Sequence, residues 1–242
     1  MSSPIKLKAS QSSLFNRGQI LSVCCALVFP VWGGGAFAAD RPWLEMETTT
    51  DVASHNSLYA DTTVTIAPLT SLYESGWRLR FTGSYNQYDL TDPKHMARDR
   101  SAQALVGYVF ATERASVMLG GGLVINRQEE SGVNTTKTGG KFIISAYARP
   151  SDTTMLYGQV NYSSPTEFRL AQGKFGLKVL PDIFVGPEAS ISGGKDFTQG
   201  RLGAHLTGFS VLRVNGGVSA GVVRDSNNGN GFYSTLTLRV NM

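Results

Sequence analysis

Cysteine is almost absent from this chain. The two that occur, Cys24 and Cys25, sit side by side near the N-terminus, and no thiol follows them. Everything downstream therefore has no disulfide framework, no thiolate metal site and no cysteine nucleophile. Histidine is scarce too: His55, His95 and His205 are far apart, and no pair has the spacing of metal ligands. Beyond the N-terminus there is no long apolar run, and only 41% of residues are hydrophobic. A helical polytopic membrane protein needs several stretches of about 20 apolar residues, so that class is excluded. An excess of charge is also missing. The formal +4 owes most to Lys6, Lys8 and Arg17, which lie in the first 38 residues, where there is no acid; without them 19 basic residues face 18 acidic ones. No basic stripe remains, and no nucleic-acid partner is expected.

What is present begins with a leader. Lys6, Lys8 and Arg17 form a basic n-region, Ile20 to Phe29 an apolar core, and Ala36-Phe37-Ala38 a small-residue cleavage site. Residues 1–38 read as a cleaved secretory signal peptide. Pro30 and Gly33-Gly34-Gly35 interrupt the segment, which is short for a membrane anchor. Cys24 follows Val23, not the small residue a lipoprotein would place there, so both thiols leave with the leader.

From residue 39 to 242 the chain reads as one domain of strands without a convincing helix. The 27 glycines point the same way, because interior glycine weakens helices by about 0.5–1 kcal/mol relative to alanine. Twelve segments are expected: 42–53, 57–68, 75–88, 101–112, 114–127, 139–149, 153–162, 166–178, 183–193, 199–209, 213–223 and 231–242. In the third, Trp77, Leu79, Phe81 and Tyr85 share one face while Arg78, Arg80, Thr82, Ser84 and Asn86 share the other. The fifth repeats the pattern with Val117, Leu119, Leu123 and Ile125. In the eleventh, Val214, Val218, Ala220 and Val222 oppose Arg213, Asn215 and Ser219. The last is the strictest: Leu236, Leu238, Val240 and Met242 alternate with Thr237, Arg239 and Asn241 up to the chain terminus.

Strands that alternate this way suit a soluble β-sandwich, a β-solenoid or an outer-membrane barrel with lipid outside and a wet lumen inside. The spacing between segments favours the barrel. Polar gaps at 89–100, 128–138, 194–198 and 224–230 fall on one side, and tight turns at Glu113, Pro150-Ser151-Asp152 and Leu180-Pro181-Asp182 on the other. Long extracellular and short periplasmic connections are the asymmetry of bacterial barrels. Two gaps fit poorly: 69–74 is long for a periplasmic turn and Ser163-Ser164-Pro165 short for an outer loop. The 204 residues from 39 onward, divided by twelve, give 17 per strand and connection, enough for a tilted span of about 9–11 residues. Ten or fourteen strands are also compatible. The expected fold is thus an all-β, antiparallel transmembrane β-barrel of about twelve strands in the bacterial outer membrane. Its last strand would be offered to outer-membrane lipid and to the barrel assembly machinery.

Ser75-Gly76-Trp77-Arg78-Leu79-Arg80, Val185-Gly186-Pro187-Glu188 and the stretch Arg201 to Phe209 (Arg-Leu-Gly-Ala-His-Leu-Thr-Gly-Phe) resemble the cellulose biosynthesis protein BcsS family. The resemblance extends over most of the mature chain. It implies an outer-membrane accessory of cellulose biosynthesis or export, with a cellulose chain or other cellulose-secretion components as partners, and it brings no active site.

The residues themselves point to no chemistry. His95 shares a charged stretch with Asp92 and Asp99, read as solvated rather than metal-binding. His205 with Ser190 or Ser219 lacks a motif that marks a nucleophile. Gly139-Gly140-Lys141 lacks the rest of a phosphate loop, the glycines at 120–122 lie inside a strand, and Asn134-Thr135-Thr136 is a polar loop. No catalytic residue, cofactor or metal is assigned, and the expected function is non-enzymatic. A small diffusion porin and a barrel hydrolase acting on lipid are the competing functions. The expected site is a polar cluster in the lumen made of Arg78, Arg80, Glu188, Arg201, His205 and Arg213, while Tyr85, Tyr88 and Tyr108 are expected at the wall or the membrane interface.

Overall fold

A computed structural model describes residues 41–54, 56–90, 95–130, 132–195, 197–211 and 213–242. The leader 1–38 and His55 lie outside them. Twelve strands follow in order: β1 Leu44–Ala53, β2 Ser57–Ile66, β3 Gly76–Leu90, β4 His95–Ala111, β5 Ala115–Glu130 and β6 Val133–Ser151, then β7 Thr154–Ser163, β8 Phe168–Leu180, β9 Ile183–Gly193, β10 Thr198–Val211, β11 Val214–Asp225 and β12 Gly229–Asn241. Each pairs antiparallel with its sequence neighbours, and β12 pairs back onto β1 to close a barrel. Closure removes both free edges, so the strands pair with one another rather than with water, as hydrocarbon demands. The seam runs from Glu45 opposite Asn241 to Ala53 opposite Tyr233. Beyond it, Met242 accepts from the Trp43 and Leu44 amides at 2.9 and 3.1 Å and donates to the Leu44 carbonyl at 2.8 Å.

The alternation read from the sequence is the alternation of the wall. Trp77 and Phe81 are exposed on the outside whereas Arg78, between them in the pattern, is buried inside. In β5, Val117, Leu119, Leu123 and Ile125 are exposed, and Met118 and Val124 are buried in the interior. Leu236 and Leu238 face outward from β12. This is the reverse of a soluble sheet, whose apolar face is the covered one, and it places hydrocarbon around the barrel. The apolar run on β5 covers eight residue steps, roughly 26 Å along a strand. Its nine residues suit a tilted transmembrane strand, which needs about 9–11. Aromatic residues mark its limits. Trp77 packs edge-on to Tyr108 at 5.3 Å, and Tyr108 lies 4.8 Å from Phe110, near the end that carries the termini. Phe142, Tyr162 and Phe232 are exposed at the opposite end. Tyr85 and Tyr108 are outward wall residues as expected, whereas Tyr88 belongs to the inward-facing set of β3.

The long polar gaps at 89–100, 128–138 and 224–230 are a correction. They are mostly strand, not loop. The β3–β4 and β5–β6 hairpins continue beyond the apolar band, with β4, β5 and β6 running for 17, 16 and 19 residues. Above the membrane both faces of a hairpin are wet, so the period-two hydrophobic signal vanishes while backbone pairing continues. Gly132, at φ 81°, makes the tight β5–β6 turn. The short outer connection after β7 is the 3₁₀ turn Ser164–Thr166. It folds against β6, where Ser164 Oγ accepts from the Gly140 amide at 2.9 Å. A Cβ on Gly139 would come within 2.3 Å of that same oxygen, so glycine is needed there.

Candidate functional site in the barrel lumen

Of the six residues expected in the lumen cluster, the barrel brings together Glu188 and Arg201 and keeps His205 alongside. Arg78 is inward but does something else. Its guanidinium donates to Thr70 Oγ1 at 3.1 Å and to the carbonyls of Trp77, Ser71, Leu72 and Glu74 at 2.9, 3.0, 3.2 and 2.5 Å. It therefore holds the long connection between β2 and β3 against the barrel, a task that needs the planar, many-donor head of arginine. Arg80 stays in the lumen, with Nη1 3.9 Å from Met118 Sδ. Arg213 is a correction: it lies in the turn between β10 and β11 and is exposed, because β11 begins one residue later than the pattern suggested.

The centre of the assembled site is Glu188. Tyr233 donates to Oε1 at 2.7 Å, Ser219 donates to Oε2 at 2.8 Å, and Lys174 Nζ lies 2.9 Å from Oε2. These partners come from three strands, β8, β11 and β12, around Glu188 on β9. A buried carboxylate needs such a shell, since an unpaired one is expensive to hide. Lys174 also donates to Ser219 at 3.2 Å. The second knot is Arg201 on Asp51, with Nη1–Oδ2 at 2.7 Å and Nη2–Oδ1 at 3.0 Å. Thr235 donates to Asp51 Oδ2 at 2.5 Å, and Arg201 Nε donates to Gln199 at 2.8 Å. Tyr233 joins the two knots, because its ring lies 4.9 Å beneath the Arg201 guanidinium while its hydroxyl reaches Glu188.

Glycines explain how this fits inside the wall. Gly203 lies on the lumen face between Arg201 and His205, opposite Glu188 in the ladder. A Cβ there would meet both the Tyr233 hydroxyl and the Ala220 carbonyl at 2.4 Å. On Gly186 it would meet the Phe175 carbonyl at 1.9 Å. That carbonyl accepts from His205 Nε2 at 3.0 Å, and Nδ1 lies 2.9 Å from Thr207 Oγ1. Both ring nitrogens are thus occupied. Ser219, opposite His205 in the ladder, donates to Glu188 rather than to the imidazole.

A third group lies towards the periplasmic end. Arg239 pairs with Glu45 at 3.3 Å and with Glu47. Tyr157 lies on β7, the strand diametrically opposite β1, where its hydroxyl donates to Gln159. Tyr233, Lys174, Asp51 and Tyr157 were missed by the sequence reading. Only their inward parity marked them, and parity alone does not say which strands a closed sheet brings within reach.

Sequence and fold comparisons agree on what kind of protein this is. A family model described as cellulose biosynthesis protein BcsS matches residues 46–242. The chain belongs to that family. The match takes in Asp51, Lys174, Glu188, Arg201, Ser219 and Tyr233, so the Glu188 and Arg201 knots lie wholly within the family's region. No curated protein matches the sequence. Among solved structures, the chain is similar to the KdgM porin, at 10% identity and a TM-score of 0.50, covering 82% of this chain and 99% of that one. It is also similar to the β domain of the Bordetella autotransporter BrkA, at 12% identity and a TM-score of 0.51, covering 84% and 100%. At these identities the likeness concerns the barrel fold, and the address is the outer membrane.

Proposed function

We propose that this protein is a non-enzymatic outer-membrane accessory of cellulose biosynthesis or export, acting as a barrel scaffold rather than as an open conduit. The family supplies the pathway. The observation that carries the scaffold reading is the mutual satisfaction of lumen charges across non-neighbouring strands, Arg201 to Asp51 and Tyr233 to Glu188. Ion pairs strung across a lumen fix its shape and occupy its interior, and lumen charge of this kind is general to barrels. The His205 arrangement supports the absence of hydrolysis, since a general base must be within reach of a nucleophile.

Deleting the gene and measuring cellulose at the cell surface tests the pathway: a drop is expected, and unchanged cellulose overturns the role. Planar-bilayer recording of the purified barrel tests the scaffold: little steady conductance is expected. Steady conductance that cello-oligosaccharides do not block would restore the diffusion porin. Esterase or deacylase activity abolished by His205→Ala would restore the barrel hydrolase.

A further inference from the structure

The projecting hairpins carry their charge in an unexpected place. On β4 and β5 the outward positions below are Phe110, Tyr108, Val106, Ala104 and Ala102, and Val117, Leu119, Leu123 and Ile125. The next outward positions are Arg100 and Arg127, and these two stand directly opposite one another in the ladder. Arg98 follows one outward step higher, opposite Glu129. Like charges facing each other across a strand pair are destabilising. Among the described residues no carboxylate lies within 4.0 Å of any of these three guanidiniums. Arg127 Nε donates to Asn134 Oδ1 at a long 3.4 Å. Glu129, and Asp89 bound to Asn56, are the acids described on this face, leaving a net positive surface. Tyr85, opposite Arg100, closes one side. Arg169, stacked on Tyr162 at 6.0 Å, and Arg224 are likewise exposed just above the band on other strands.

We infer that Arg98, Arg100 and Arg127 form a binding site for the phosphate groups of an outer-leaflet lipid whose acyl chains lie on the apolar wall below. The height carries the argument. One outward step above Ile125 is where hydrocarbon ends and headgroups begin, and a phosphate there meets two guanidinium forks at once. The ligand chemistry is a phosphorylated, acylated sugar or glycerol, of which bis-phosphorylated lipid A is a direct probe. The same lipid would offset the repulsion between Arg100 and Arg127.

The test uses the mature barrel folded in dodecyl maltoside, with lipid added. Native mass spectrometry should show bis-phosphorylated lipid A retained and dephosphorylated lipid A largely lost, and the phosphorylated lipid should raise the heat-modifiability midpoint. Arg100→Gln with Arg127→Gln should weaken retention about tenfold or more, since each lost charge-assisted bond is a large fraction of such an affinity. Arg114→Gln, in a periplasmic turn, should leave it unchanged. Equal retention of the dephosphorylated lipid would overturn the proposal. So would full stabilisation by inorganic phosphate alone, or a folded double variant that keeps the lipid. The mass comparison on the unmodified barrel decides the matter even if the double variant fails to fold.

Discussion

Arg201 grips Asp51 with both ends of its guanidinium, at 2.7 and 3.0 Å, although 150 residues separate them in the chain. Two whole strands, β11 and β12, lie between their own strands around the wall. The pair is therefore a brace across the lumen near the closing seam, where β1 must find β12. Asp51 and Arg201 are both largely covered, so removing one partner strands the other in a poorly hydrated place. Arg201→Ala should lower barrel stability by about 2–4 kcal/mol, read as a lower urea midpoint in the gel-shift assay. Pairing it with Asp51→Leu should recover much of the loss. If the double substitution is as damaging as the sum of its parts, the two residues are not coupled.

The lipid face is tested next to the lumen face on a single strand. Leu236 points outward midway along the apolar run from Phe232 to Val240, and Thr237 points inward beside Thr49 at 3.4 Å. Leu236→Arg puts a charge in hydrocarbon and should cost about 2–4 kcal/mol. Thr237→Arg puts it in the wet interior and should be tolerated far better. The readout is the fraction of heat-modifiable barrel recovered from outer membranes. Equal yields would mean that the facing is wrong.

That facing was the most legible part of the chain. Period two fixes which side each residue faces once both environments differ, and it located all twelve strands. It failed where the environments stopped differing, in the hairpins above the membrane, so residues such as Arg98 and Gln128 passed for loop. The site was half legible. Glu188, Arg201 and His205 stand out as polar positions within motifs, and Lys174 lies directly opposite Glu188 in the β8–β9 hairpin, but Asp51 and Tyr233 come from strands distant in sequence. Their meeting is a property of closure and of the glycines that thin the wall, and no local pattern encodes it.

Gly203 offers a check on that last point. Alanine there forces its Cβ against the Tyr233 hydroxyl and the Ala220 carbonyl. Overpacking of this kind costs about 1–3 kcal/mol. Combining Gly203→Ala with Tyr233→Phe should recover part of the thermal midpoint, since one of the two collisions disappears while the backbone contact stays. No recovery would show that the phenol does not occupy the space that glycine leaves.

The periplasmic connection provides the final prediction. Residues 67–75 form the one long connection on that side, and it is not held by a strand partner. The Ala67 amide donates to the Trp43 carbonyl and the Leu72 amide to the Pro42 carbonyl, each at 2.7 Å. A further anchor is Arg78, whose head satisfies Thr70 and the carbonyls of Ser71, Leu72 and Glu74. Lysine keeps the charge but has one nitrogen and no fork, so it cannot reach all of these acceptors together. Arg78→Lys should therefore leave the barrel closed while loosening the segment. Glu74 is exposed on it and marks a site for a glutamate-specific protease. Cleavage at Glu74 in spheroplasts or detergent should accelerate several-fold in Arg78→Lys, because proteolysis follows the population of the locally opened form, with the gel-shift midpoint changing little. Unchanged cleavage would mean that the two backbone bonds and the Asn241 Nδ2 bond to the Tyr73 hydroxyl, at 2.9 Å, hold the segment without Arg78. A collapse of the midpoint would instead place Arg78 among the groups that stabilise the barrel itself.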